Sequence, residues 1–416
     1  MVKIKSFKGW RPTQALAKTI AAPPYDVLSS AEAKVLTEHN PQSFLRVTKP
    51  EVDFDDDIDV YSSQVYEQGK KNWQSFKAEQ FFIQDENSCL YIYRQGINGH
   101  FQTGIVAVSS IDDYFNDVIK KHEFTRPQKE NDRIEHTMTV GIHPGPVFLT
   151  YKKHHRLDDL VSDFVKTHSA EYDFTAVDGV SHTVWVVDEA FLIQEIIDIF
   201  KDEIPATYIA DGHHRAAASS KVGLKLREQN PDLEASHNYF LSVLFPDDQL
   251  KIIDYNRLIT DLNGLTTEAF LQNISKNFEV TKKGTEIFKP SQAHEFSIYV
   301  DGIWYQLKAK SHTFDDNHPI KCLDVTVLSD YLIAPILGIH DQRTDNRIDF
   351  VGGIRGLQEL QKRVDSGEMK VALALYPVSI QQLIDIADAG EVMPPKSTWF
   401  EPKLRSGLVV HEFRKE

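Results

Sequence analysis

Cysteine is nearly missing from this chain: Cys89 and Cys322 are the only two in 416 residues. That excludes a disulfide framework and a cysteine-built zinc knuckle. Both thiols stand in apolar surroundings and are expected to be buried. No run reaches about 18 apolar residues, so no ordinary membrane-crossing helix is predicted. The opening MVKIKSFKGW holds no apolar stretch long enough for a signal peptide. Together these absences predict a cytoplasmic protein without a membrane partner. Positive charge is scarce too: 46 Lys and Arg face 61 Asp and Glu, a net charge of −15. A field of that sign disfavours nucleic acid as a partner, because affinity for its backbone comes largely from Lys and Arg. Gly-rich Walker loops, Gly-x-Gly-x-x-Gly and Gly-x-Ser-x-Gly are all missing. This argues against the common nucleotide hydrolases, Rossmann dehydrogenases and α/β-hydrolases.

What remains is an ordinary globular composition, 41% hydrophobic and 26% charged, with chain enough for two or three domains. Strand and helix patterns mix throughout, which predicts an α+β fold. Cys89–Tyr93, Thr103–Val108 and Thr183–Val187 are rich in β-branched and aromatic residues and read as strands. Glu189 to Lys201 reads as a helix with Leu192, Ile196, Ile197 and Phe200 on one face. Thr207–Ala210 is a short strand, followed by a turn and a helix to about Glu228. His237 to Phe245 is again a strand, and Pro246–Gln249 a turn. Phe296–Val300 and Asp301–Leu307 form a hairpin pattern with Asp-Gly at its turn. The acidic run Asp53–Asp59 precedes a helix expected over about 59–78, where carboxylates suit the positive helix end. A weak boundary at 246–265 divides an N-terminal lobe, 1–245, from a C-terminal α/β lobe, 246–416.

Four segments carry candidate chemistry. In Ala210-Asp-Gly-His-His-Arg-Ala-Ala-Ala218 a strand passes through Gly212 into an alanine-rich helix. The first N–H groups of such a helix make an anion site. Arg215 adds a planar fork, Asp211 stands beside it, and His213 and His214 offer proton transfer, hydrogen bonds or metal binding. In Lys121-His-Glu-Phe-Thr125, His122 and Glu123 are candidate acid and base. Downstream, Lys129 and Arg133 stand i, i+4 apart and would face one way on a helix to neutralise an anionic substrate. In Pro23-Pro24-Tyr25-Asp26-Val27 two prolines stiffen a segment that holds Asp26 as a candidate base and Tyr25 as a substrate contact. Ser29-x-x-Glu32 then forms a capping-box pattern. Near the end, Lys396, Ser397 and Thr398 suit phosphate or carboxylate recognition. His154-His155-Arg156 repeats the double histidine without the glycine or a helix start, and reads as surface. His136 and His143 could approach a metal, but no His-Glu-x-x-His helix is present.

Asp211-Gly-His-His-Arg215 together with Ala22-Pro-Pro-Tyr-Asp-Val27 resembles the domain-of-unknown-function 1015 family of prokaryotic proteins. Lys121–Thr125 with Asp132-Arg133, Asp254-Tyr-Asn-Arg257, Asp349–Gly353 and Met393–Leu408 extend the resemblance along nearly the whole chain. The turn also resembles the phosphate-binding turn of the ParB and sulfiredoxin fold group, which includes a free-serine kinase. Two histidines replace ParB's arginine-rich version. The resemblance implies a ParB/sulfiredoxin-like nucleotide-binding core, with residues 211–215 holding the phosphates of ATP or ADP with Mg²⁺.

The resulting expectation is an enzyme handling phosphoryl groups on a small metabolite, foremost a kinase of a free amino acid such as serine. Asp26, His122, Glu123, His213 and His214 are its candidate catalytic residues. Tyr25, Lys129, Arg133, Lys396, Ser397 and Thr398 are its candidate substrate contacts. A phosphatase of phosphoserine-like molecules and a non-catalytic nucleotide-binding regulator are the alternatives.

Overall fold

The computed structural model describes residues 1–414. The chain is a mixed α+β protein in two compact units, Met1–Leu250 with the segment from Pro402 onward, and Lys251–Glu401. The segment from Pro402 thus groups with the first unit, not with a C-terminal lobe running to residue 416. Backbone pairing explains it. Ser406 bridges Ala22, Val410 bridges Trp10, and His411–Glu412 pairs antiparallel with Ile142–His143.

Among the described residues, the first unit is built on a nine-stranded sheet. Its strands are β1 (Ile4–Lys5), β2 (Leu90–Ile97), β3 (His100–Ser110), β4 (Ile119–Lys120), β5 (Val147–Tyr151), β6 (Tyr172–Thr175), β7 (Ser181–Val187), β8 (Thr207–Asp211) and β9 (Tyr239–Pro246). The spatial order is β4-β8-β5-β9-β3-β2-β7-β6, with β1 paired to β3. Most neighbours are antiparallel, but β8 runs parallel to β4, and β9 parallel to β5.

Four helices matter for the site: α1 (Ser63–Ala78), α2 (Pro127–Val140), α3 (Ala190–Glu203) and α4 (His213–Arg227). The core-facing side of α3 is Ile193, Ile196, Ile199 and Phe200. Leu192 and Ile197, expected on the same face, are only partly buried and pack against the edge of this core. The first helix starts at Ser63, later than expected, because Asp59 is spent on a turn, accepting from the Tyr61 N–H at 3.0 Å.

Helix α4 is sunk in the unit on nearly every side, with Ala216, Ala217, Ala218, Ser219, Ser220 and Val222 all buried. Small side chains permit this. A Cβ on Gly223 would come within 2.4 Å of the His237 carbonyl oxygen and 2.7 Å of Ile111, so only glycine allows that approach. The helix packs against α2.

In the second unit a six-stranded sheet, counted among the described residues, includes the hairpin Glu295–Val300 and Ile303–Ala309. Its Asp301-Gly302 turn has φ of 48° and 78°, the left-handed pair that a two-residue hairpin of this twist requires. Cys89 is buried as expected, but Cys322 is half-buried, its thiol donating to the Pro319 carbonyl. Among the described residues no helix is long and apolar enough to cross a membrane.

Candidate phosphate-binding site

The site begins with a defect in a strand. The pairing of β8 with β5 shifts register between Ile209 and Asp211, a bulge that re-aims the strand end. Gly212 follows with φ 95° and ψ 33°, a left-handed conformation that costs an L-residue about 1–2 kcal/mol. Helix α4 then starts at His213, and no side chain caps it. Its first N–H groups and the positive end of its dipole are therefore left for an anion.

Asp211 does not cap the helix. Its carboxylate is shared between two cations: Lys403 Nζ donates to Oδ1 at 2.7 Å, and Arg215 Nη2 donates to Oδ2 at 2.7 Å. Burial pushes its pKa up, yet Lys403 and Arg215 outweigh this and hold it at about 2. Asp211 is thus a charged carboxylate matched by two cations, the counter-ion of Arg215 and Lys403 beside the turn. Arg215 differs from expectation. Its fork is taken by Asp211 and by the Pro146 carbonyl. Its Nε remains, buried without a hydrogen-bond partner. The guanidinium lies over Gly212, where a Cβ would stand 3.1 Å from it.

His213 is buried, and its Nε2 has no hydrogen-bond partner. Its ring meets that of His122 edge to face, with centroids 4.5 Å apart. Burial lowers the His213 pKa to about 4 and drives that of His122 well below the ordinary value. Both rings are neutral at pH 7 and act as hydrogen-bond groups, not imidazolium acids. The segment carrying His122 is pinned against α4: Thr125 donates to Glu130 at 2.5 Å, and Lys221 of α4 also pairs with Glu130. Lys121 points away, donating to the Tyr114 carbonyl at 2.9 Å.

His214 is half-buried, and burial lowers its pKa. Glu123 and Asp26 oppose this shift while Lys129 and Arg126 add to it, so all four charges lie within electrostatic reach of its ring. Asp26 is exposed and Glu123 half-buried. Lys129 and Arg133 do not act as a matched pair. Lys129 is exposed, whereas Arg133 is held by Asp132, at 2.8 Å, and by the Thr48 carbonyl. The Arg133 guanidinium stands 4.2 Å above the Tyr25 ring. Burial raises the Tyr25 pKa, so its hydroxyl stays protonated.

Behind Arg215 lies a cavity of about 30 Å³ walled by Tyr25, Arg133, His143, Arg215, Ser219 and Ser406, with Pro144 and Gly145 at its edge. Sequence reasoning had singled out Tyr25, Arg133, His143 and Arg215, and missed Ser219 and Ser406. His143 stacks on His411, their Nδ1 atoms 3.0 Å apart, and His136 bonds the Val47 carbonyl at 2.8 Å. Neither joins a metal centre; among the described residues no group of three or more His, Cys, Asp and Glu is disposed to hold an ion. His154 proves to be the N-cap of a helix, His155–Thr167, a helix start the sequence did not reveal.

Lys396, Ser397 and Thr398 belong to the second unit. There Ser397 Oγ donates to the Pro394 carbonyl at 2.6 Å, and the fully buried Arg257 donates to the Lys396 carbonyl at 3.1 Å. Ser397 and the Lys396 backbone thus help to shape their own loop.

A family model described as a protein of unknown function, DUF1015, matches residues 4–326. The chain belongs to this family. The matched span of DUF1015 contains every motif quoted above up to Asp254–Arg257, while Asp349–Gly353 and Met393–Leu408 lie beyond it. No curated protein matches the chain. Among solved structures, a conserved hypothetical protein from Pyrococcus furiosus is similar at 14% identity and a TM-score of 0.37, over 73% of this chain and 93% of that one. A free serine kinase in complex with AMP is similar at 14% identity and 0.36, over 71% and 86%. SbnI with a C-terminal truncation, from Staphylococcus aureus, is similar at 12% identity and 0.33, over 72% and 85%. The chemistry of this DUF1015 member is therefore argued from its own side chains.

Proposed function

We propose that this DUF1015 protein is a phosphoryl-handling enzyme acting on a small metabolite, and that the turn at Gly212 receives the phosphates. One observation carries the reading: an uncapped 15-residue helix begins directly after a left-handed glycine, and a buried histidine with an unpartnered Nε2 is its first residue. Such a start offers several N–H donors and the dipole's positive end to one anion.

In the kinase direction, suggested by the sequence resemblance, the donor is ATP or ADP and the acceptor the hydroxyl of a free amino acid such as serine. The acceptor oxygen forms a bond to the terminal phosphorus, the bond from that phosphorus to the leaving nucleotide oxygen breaks, and Glu123 or Asp26 takes the hydroxyl proton. His213, neutral, donates a hydrogen bond to a phosphate oxygen, and the α4 N–H groups take up the charge that develops there. Mg²⁺ asks for only one or two carboxylates when phosphates supply other ligands. Whichever of Asp26 and Glu123 does not take the proton would help to hold it, since Asp211 is already neutralised by Lys403 and Arg215; when bound, the ion would offset phosphate charge.

The test couples binding to turnover. Pyrophosphate, ADP and ATP should each raise the melting temperature by mass action, and His213→Ala should abolish the shift. Glu123→Gln or Asp26→Asn should lose about 10²–10⁴-fold in turnover and leave metal-free pyrophosphate affinity unchanged. An unchanged shift in His213→Ala overturns the site. Phosphate release from phosphoserine without nucleotide would make the enzyme a phosphatase, and binding without any turnover a regulator.

A further inference from the structure

We propose that the cavity walled by Tyr25, Arg133, His143, Arg215, Ser219 and Ser406 is a binding site for a small carboxylate, the head group of the acceptor substrate. It deepens the phosphoryl-handling reading and rests on it only for the word acceptor.

The wall supplies hydrogen-bond donors. Tyr25, Ser219 and Ser406 bring hydroxyls, and the raised pKa keeps that of Tyr25 protonated. Arg215 brings an Nε that is buried without a partner, and His143, only 4% exposed, has an Nε2 in the same state. Leaving such groups unmatched costs about 1–3 kcal/mol each, so their persistence around one space points to a ligand. Two guanidinium groups, Arg133 and Arg215, line the space, Arg133 paired with Asp132 outside it, and no Asp or Glu is among its walls. Arg215 moreover shares its carboxylate, Asp211, with Lys403. A ligand that only accepts hydrogen bonds and carries negative charge fits this wall.

Size chooses among anions. At roughly 10–15 Å³ for each water-sized centre, the cavity's 30 Å³ matches two oxygen atoms, a carboxylate's worth. The carboxylate also fixes a tautomer: His143 Nε2 carries the proton toward the ligand while its Nδ1 accepts from His411 Nδ1.

Calorimetric titration of the full chain with L-serine, glycerate and ethanolamine tests this, because ethanolamine keeps the amine and hydroxyl but lacks the carboxylate. Serine and glycerate should bind and ethanolamine should not. Ser406→Ala and Ser219→Ala should each weaken glycerate about 5–10-fold, the worth of one hydrogen bond, and leave pyrophosphate affinity within about twofold of its starting value. His213→Ala should do the reverse. Should a serine variant misfold, the ring ¹⁵N resonance of His143 in the unaltered protein must shift on adding glycerate. Ethanolamine binding as tightly as glycerate, or no response at His143, overturns the carboxylate site. Pyrophosphate binding without any acid binding overturns it too, and leaves the phosphoryl reading standing. Acid binding without pyrophosphate binding upholds the cavity and removes the phosphoryl reading.

Discussion

Lys403 donates to Asp211 at 2.7 Å from 192 residues further along the chain, and the same carboxylate accepts from Arg215 four residues away. One half-buried anion is thereby held between two cations. Arg215 is fixed over Gly212 rather than free to swing.

Lys403→Met should expose the worth of that arrangement. The Asp211 pKa lies below its unfolded value, so its contribution to stability is complete above about pH 4 and lost as pH falls toward 2. A drop from 3.8 to about 2 corresponds to roughly 2 kcal/mol. In the variant the pKa should climb back toward the carboxylate range. Urea unfolding at pH 6 and pH 3 should show a smaller difference between the two conditions than the parent. An identical difference would mean that Lys403 does not set the charge of Asp211.

Gly212→Ala forces a Cβ into a residue at φ 95° and within 3.1 Å of the Arg215 guanidinium. The backbone term alone is about 1–2 kcal/mol. Both a lower melting temperature and a tenfold or greater loss of pyrophosphate affinity are expected. Unaltered affinity with lowered stability would detach the turn from ligand binding.

Buried neutral histidines make the first unit sensitive to mild acid. The pKa values of His136, His182 and His411 fall to about 3, and that of His213 to about 4, all through burial. Their folded values lie below the unfolded 6.5, so the unfolded chain binds more protons in between, and stability must fall as pH drops below 6.5. Chemical denaturation should register a loss on the order of 5 kcal/mol between pH 6.5 and 5. A flat profile across that window would show these rings to be hydrated.

Glu412 gathers the Trp10 indole N–H at 2.9 Å, the Trp73 indole N–H at 3.3 Å and Lys77 at 2.7 Å. Glu412→Ala leaves a cation and two buried donors unmatched, which should cost about 3 kcal/mol. A melting curve within a degree of the parent would place these groups in water instead.

Much of the turn was legible because its signals are local. A strand, a glycine and a run of small residues lie in one stretch, and Asp301-Gly302 marked its hairpin in the same way. The Asp211–Arg215 ion pair joins the strand end to the first turn of α4 across Gly212, and no helix spacing in the sequence announced it. Reading Arg215 as a free phosphate fork overlooked it. The cavity was not legible. Ser219, Ser406 and the Pro144-Gly145 edge come from three distant segments, and nothing in a serine's neighbours says which hydroxyl will face a void. Nor does local pattern predict that residues from Pro402 return to Trp10, Ala22 and Ile142–His143, because that pairing is settled by backbone hydrogen bonds over hundreds of residues.

The path of the chain sets a timetable for biosynthesis. The polypeptide leaves the first unit at Leu250 and rejoins it at Pro402, so a ribosome adding about 5–20 residues per second needs roughly 8–30 s to cover the interval. During that delay the nascent Asp211 has one of its two cations, and the edge of Ile142–His143 awaits its strand. The site is therefore among the last parts of the first unit to be completed.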